Sequence, residues 1–100
     1  MKTITKSILA ILKAKPGKEG ELEGFLKSAL PLVNEEKGTI TWHALKLNNS
    51  TFGIFDTFEN EKDRQAHMNG AVAKLLMEKA GELLSEQPDL KEVDVFASKL

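Results

Sequence analysis

The chain has no cysteine among its 100 residues. That absence excludes a disulfide framework, a thiolate nucleophile and any thiolate-ligated cluster, and it fits a reducing compartment. There is also no excess of either charge. Lys and Arg total 14 against 15 Asp and Glu, a formal net charge of −1, with the two signs interspersed. Without a basic stripe to track phosphates, nucleic acid is not an expected partner. Long apolar runs are missing too. The N-terminal run 8–12 lies between Lys6 and Lys13, too short for a signal-peptide core and far too short to span a bilayer. The two histidines, His43 and His67, form no ligand spacing with each other or with a carboxylate cluster, so no metal is expected. These absences leave a single domain over residues 1–100 that is soluble and cytoplasmic, with no membrane partner.

What is present is a clear alternation of strand and helix periods. In 4–15, Ile4, Ile8, Ala10 and Leu12 share one parity while Leu9 and Ile11 occupy the other, a strand covered on both faces. Lys15-Pro16-Gly17-Lys18 ends it. Leu22, Phe25, Leu26, Ala29, Leu30 and Val33 then recur at helical spacing, with Pro31 expected to loosen the last turn and Gly38 closing the region. Strands at 39–47 and 51–58 flank Asn48-Asn49-Ser50, a turn in which asparagine tolerates positive φ. Asn60 caps a second helix with Asp63 at its third position, and Asn69-Gly70 interrupts that helix just after His67. Asn69 reads as a helix cap. The helix resumes with Val72, Leu75, Leu76, Ala80, Leu83 and Leu84, and a last strand is predicted over 90–99.

The order is βαββαβ, the ferredoxin-like α+β arrangement: a four-stranded antiparallel sheet with two helices on one face. Two helices cover only that face. The apolar residues on the other, Leu9, Ile11 and Phe55 among them, therefore predict a homodimer with its sheets packed face to face.

Several stretches also carry a family resemblance. They are Lys15-Pro16-Gly17-Lys18 after strand one, Gly38-Thr39-Ile40-Thr41-Trp42 opening strand two, Phe55-Asp56-Thr57-Phe58-Glu59-Asn60 closing strand three, and His67 beyond it. On these residues the chain resembles the antibiotic biosynthesis monooxygenase domains of the dimeric α/β-barrel superfamily, over nearly its whole length. The resemblance implies a cofactor-independent monooxygenase that oxidises a small quinol, phenol or anthrone-like substrate with molecular oxygen. No flavin, metal or haem is implied. Asp56 and Phe58 stand where relatives commonly show Glu and Trp. Haem-degrading enzymes share the fold, but their strand-one asparagine and helix-two tryptophan are missing here, and Met77 falls near their ligand histidine. A non-catalytic dimer that binds a small molecule is the alternative, and ring isomerase or lactone chemistry a third reading.

Five residues are candidates for such a site. His67 is the first, because histidine exchanges protons near neutral pH; the structural alternative is a histidine bonding a carboxylate or carbonyl at the helix break. Trp42 could wall an aromatic ligand and donate its N–H, or fill core or interface. His43 points to the opposite side of its strand, so only one of the two can join His67 and Asp56. Asp56, among apolar neighbours, needs a partner. It could orient a histidine, take a substrate proton, or form a buried salt bridge with Arg64 or a lysine. Phe58 shares its strand face and is a candidate substrate contact.

Overall fold

The chain runs β1 (Lys6–Lys13), α1 (Glu19–Asn34), β2 (Thr39–Lys46), β3 (Thr51–Phe58), α2 (Glu61–Met68), α3 (Ala71–Leu83) and β4 (Asp89–Asp94) in a computed structural model that describes residues 3–100. Residues 1 and 2 lie outside the described residues, so the strand segment read from 4 onward falls wholly within them. All strand pairings are antiparallel, in the order β2-β3-β1-β4. This is the expected ferredoxin-like α+β fold, with the second helical region divided in two. Asn69 ends α2, its N–H returning to the Gln65 carbonyl, and Gly70 begins α3 from an extended conformation. Among the described residues no helix is long and apolar enough to cross a membrane.

Strand parity sets the layers. Ala10 and Leu12 of β1 and Phe52 and Ile54 of β3 bury against Leu22 and Leu26 of α1 and Leu76, Ala80 and Leu83 of α3. A smaller cluster joins Ala29 and Val33 of α1 to Val72 of α3, and Trp42 packs against both. The α1 stripe is Leu22, Leu26, Ala29 and Val33. Leu30, expected in it, is 46% exposed. Ala29 and Val33 already fill the inward positions of that turn, and one residue is a rotation of about 100°. Pro31 lies inside α1, which continues to Asn34.

Away from the helices, Leu9 and Ile11 of β1 and Phe55 beside them are only half-buried within the chain, as expected of a sheet with helices on one face. Two further expectations need correction. The last strand stops at Asp94 because its partner β1 begins at Lys6, directly opposite; a single bond from the Val95 N–H to the Thr5 carbonyl follows, and Phe96 is fully exposed. The β2–β3 turn does not use positive φ at asparagine, as no described non-glycine residue has it. Instead the Asn48 Oδ1 accepts from the backbone N–H groups of Ser50 and Thr51 at 3.0 and 2.9 Å, the side chain standing in for a backbone carbonyl.

Helix α2 is held on the sheet by polar contacts. Asn60 caps it as expected, accepting from the Asp63 N–H at 2.9 Å. The buried Arg64 guanidinium donates to the carbonyls of Ser7 and Val93, both at 3.2 Å, and pairs with Glu61 and Glu92. Gly38 lets β2 start directly against this helix, because a Cβ there would fall 2.8 Å from the Asp63 Cγ. The core predicts that Phe52→Ala, at a side chain 2% exposed, costs about 3–5 kcal/mol by urea unfolding. Leu30→Ala, on the outer side of α1, should cost less than about 1 kcal/mol in the same assay.

Candidate active site

Antiparallel register places Ile8, Asp56 and Trp42 side by side across β1, β3 and β2 on the helix-facing side of the sheet. His67, one turn after Arg64 on α2, reaches this row from above. Its Nε2 lies 3.0 Å from Asp56 Oδ2 and its Nδ1 2.5 Å from Oε1 of Glu36, in the loop between α1 and β2. The same Glu36 oxygen accepts from the Thr39 hydroxyl at 2.7 Å. Asp56 is 1% exposed and His67 8%. The Phe58 ring packs on the imidazole at 5.4 Å between centroids.

Burial works against charge on His67, but hydrogen bonds to Asp56 and Glu36 and the attraction of both carboxylates work for it. The second effect prevails and raises its pKa above the usual histidine value of 6.5. A neutral imidazole has one N–H and could donate to one carboxylate only, whereas the imidazolium donates to both. With the ring doubly protonated, the three side chains form a line of alternating charge through the protein wall.

Inside that wall lies a cavity of about 420 Å³ between the sheet and α3, within the range of small-ligand sites. Ile8, Ala10, Ile54 and Leu76 supply apolar walls, Trp42, Asp56 and His67 line it as well, and Lys74, Met77 and Glu78 border it from α3. Two of the lining residues carry a buried polar atom without a hydrogen-bond partner: the donor Trp42 Nε1 and the acceptor Asp56 Oδ1. An unsatisfied buried group costs about 1–3 kcal/mol, so each atom favours a ligand that completes it.

The five candidates divide accordingly. Trp42, Asp56 and His67 come together at the cavity. His43 does not; it is exposed on the opposite sheet face, stacked on Phe55 at 6.4 Å, because successive strand residues alternate sides. Phe58 is fully buried behind His67 and is not part of the cavity lining. The partner of Asp56 is His67 rather than Arg64, whose guanidinium is taken up by Glu61, Glu92 and two carbonyls. Glu36 is the residue that sequence reading missed, since Glu35-Glu36-Lys37 looks like any solvated charge run. Among the described residues no group of three His, Asp or Glu side chains has the arrangement of a metal site.

The raised pKa of His67 fixes the sign of a pH effect. Its stabilising contribution is fully present below the unfolded value of 6.5 and disappears as pH rises through the higher folded value. Urea unfolding should therefore show stability falling as pH is raised above about 6.5, and His67→Gln should remove that component. At pH near 6 this substitution should cost about 3–5 kcal/mol, the usual cost of deleting one member of a buried ionic group.

No protein-family model matches the chain, and no curated protein matches it. Solved structures do. A Caulobacter crescentus protein named provisionally as an antibiotic biosynthesis monooxygenase aligns with a TM-score of 0.78 at 16% identity, over 94% of this chain and 92% of that one. A Nitrosomonas europaea protein with the same provisional name aligns with a TM-score of 0.81 at 13% identity, over 91% and 89%. At such identities the likeness is one of fold. Another Nitrosomonas europaea protein, of unknown function, is far more similar, with a TM-score of 0.95 and 49% identity over 97% of this chain and 94% of that one. The chain belongs to the family of this last protein, on an antibiotic biosynthesis monooxygenase-like fold.

Proposed function

We propose that the protein is a cofactor-independent monooxygenase acting on a small aromatic substrate of the quinol, phenol or anthrone type. The observation that carries this reading is the pair of unpartnered buried atoms, Asp56 Oδ1 and Trp42 Nε1, on residues lining one largely apolar cavity. The monooxygenase-like fold of the neighbours supports it.

Both nitrogens of His67 are engaged, so Asp56 rather than His67 offers a free acceptor to the ligand. Asp56 Oδ1 takes the acidic proton of the substrate, and the His67 imidazolium offsets the charge that a buried carboxylate would otherwise carry alone. The Trp42 N–H donates to the oxygen on which the substrate anion places its charge. An electron-rich aromatic anion, held away from water by Ile8, Ala10 and Ile54, then reduces molecular oxygen directly. One oxygen atom forms a new bond to the ring carbon and the other leaves as water. A ring CH₂ becomes C=O, or a quinol becomes a hydroxyquinone, with no external reductant required.

The same reading includes a homodimer through the open sheet face, where Leu9, Ile11 and Phe55 are half-buried and Leu45 is exposed. Phe96 beyond β4, fully exposed in one chain, adds apolar surface to be covered.

Metal-free, flavin-free protein should consume oxygen with at least one member of a panel of quinols and anthrones. Asp56→Asn should lower that rate about 100-fold or more, while a naphthoquinol under argon still quenches the single tryptophan, Trp42. Full activity in the Asn variant would sink the assignment of the base. Ligand binding without turnover on any of the panel would identify a binding module instead. Gel filtration should give a dimer, and Phe55→Lys should convert it to a monomer; a wild-type monomer at micromolar concentration contradicts the interface.

A further inference from the structure

Glu36 is absent from the lining of the inner cavity. It borders a second, outer cavity of about 310 Å³ between the α1–β2 loop, the start of β2 and the α2–α3 junction. His67 borders both cavities, so the imidazole forms part of the wall between them, with Nε2 toward Asp56 and Nδ1 toward Glu36. We propose that Glu36 is a positioning residue of the inner site, acting through His67 to keep the Asp56 carboxylate charged and its Oδ1 free. The proposal rests on reading the inner cavity as the monooxygenase site.

The argument starts from donor counting. Asp56 Oδ2 and Glu36 Oε1 both face ring nitrogens, and only the doubly protonated ring can donate to both. Deleting the Glu36 charge leaves the ring one carboxylate and the same desolvation, so the imidazolium becomes easier to deprotonate. Asp56 would then be a buried anion without a counter-charge, and such a group takes up a proton. A protonated Asp56 cannot accept one from the substrate. Glu36 is also fixed for this task, because the Thr39 hydroxyl donates to the oxygen that faces His67. Its side chain is 19% exposed against 2% for Asp56, making it the more solvent-accessible carboxylate of the pair.

The other charged groups around this line are few. Glu35, Lys37 and Asp63 border the outer cavity, and Lys74 and Glu78 of α3 border the inner one. From β3 the imidazole meets Asp56 and the uncharged Phe58 ring. The carboxylates in hydrogen-bond contact with the ring are Asp56 and Glu36. Changes at the outer cavity are therefore transmitted to Asp56 through one ring.

The test uses the intact protein and Glu36→Gln, with three readouts: the His67 titration by NMR, the pH dependence of kcat, and quenching of Trp42 by a naphthoquinol under argon. The His67 midpoint should move to lower pH, and the alkaline limb of kcat should move with it. At neutral pH kcat should fall on the order of tenfold, as for loss of one charged hydrogen bond, with Kd changed less than about twofold. Glu36→Asp should bring the midpoint back toward wild type. A midpoint unmoved by the Gln change, an Asp variant that titrates like the Gln variant, or a loss entirely in Kd overturns the proposal. Wild-type protein supplies a measurement independent of any variant. Two ring N–H resonances are expected for His67 at neutral pH, and a single one overturns it. Should no substrate turn over, the reading of the inner cavity fails, while the NMR results still decide whether Glu36 holds His67 charged.

Discussion

A carboxylate buried in the middle of a sheet is the constraint around which this structure is arranged. Asp56 sits on β3 between the apolar side chains of Ile54 and Phe58, almost wholly removed from water. An ion in such a place costs several kcal/mol unless a counter-charge meets it with good geometry. The counter-charge is His67, and much of the surrounding architecture serves to deliver it. The break at Asn69-Gly70 separates α2 from α3, so a short helix can sit on its own part of the sheet. Arg64 fastens that helix to β1 and β4 through carbonyls, and Gly38 removes the Cβ that would hold β2 away from it.

The arrangement is stable without being complete. One oxygen of Asp56 is held by His67, whereas the other has no partner, and neither has the indole nitrogen of Trp42 on the neighbouring strand. Well-packed interiors seldom leave such groups unsatisfied. Two of the three such side-chain atoms among the described residues lie at the edge of the cavity, the third being Ser7 Oγ on β1, while the layer beneath, from Leu12 and Phe52 to Leu22 and Leu83, is closed and apolar. Stability comes from that layer and is given up at the site, the usual division between scaffold and function.

How far all this could be read in advance differs from element to element. The β3 strand, the Asn60 cap and the helix break after His67 follow from short-range chemistry, and each was legible. Alternation along β2 also showed that Trp42 and His43 must part company. It could not say which of them faces the helices. Errors arose where a local pattern had more than one continuation. Leu30 matched the helical period but lost its inward place to Ala29 and Val33, and the last strand stopped where β1 had no residues left to pair. Asn48 marked the turn correctly, though by side-chain acceptance rather than by backbone conformation.

The partner of Asp56 shows most clearly where local reading ends. Arg64 and His67 lie one helical turn apart, and both could neutralise an acid; only the docking of α2 decides that Arg64 meets backbone carbonyls and His67 meets Asp56. Glu36 is more hidden still, a member of a charged run that the turn after α1 folds back onto the imidazole. The sequence by itself determined the order of elements, their periods and the opposite facing of Trp42 and His43, because these depend on backbone geometry repeated over a few residues. Only the tertiary structure decided which charges met, because the pairing of an ion depends on distances between segments far apart in the chain.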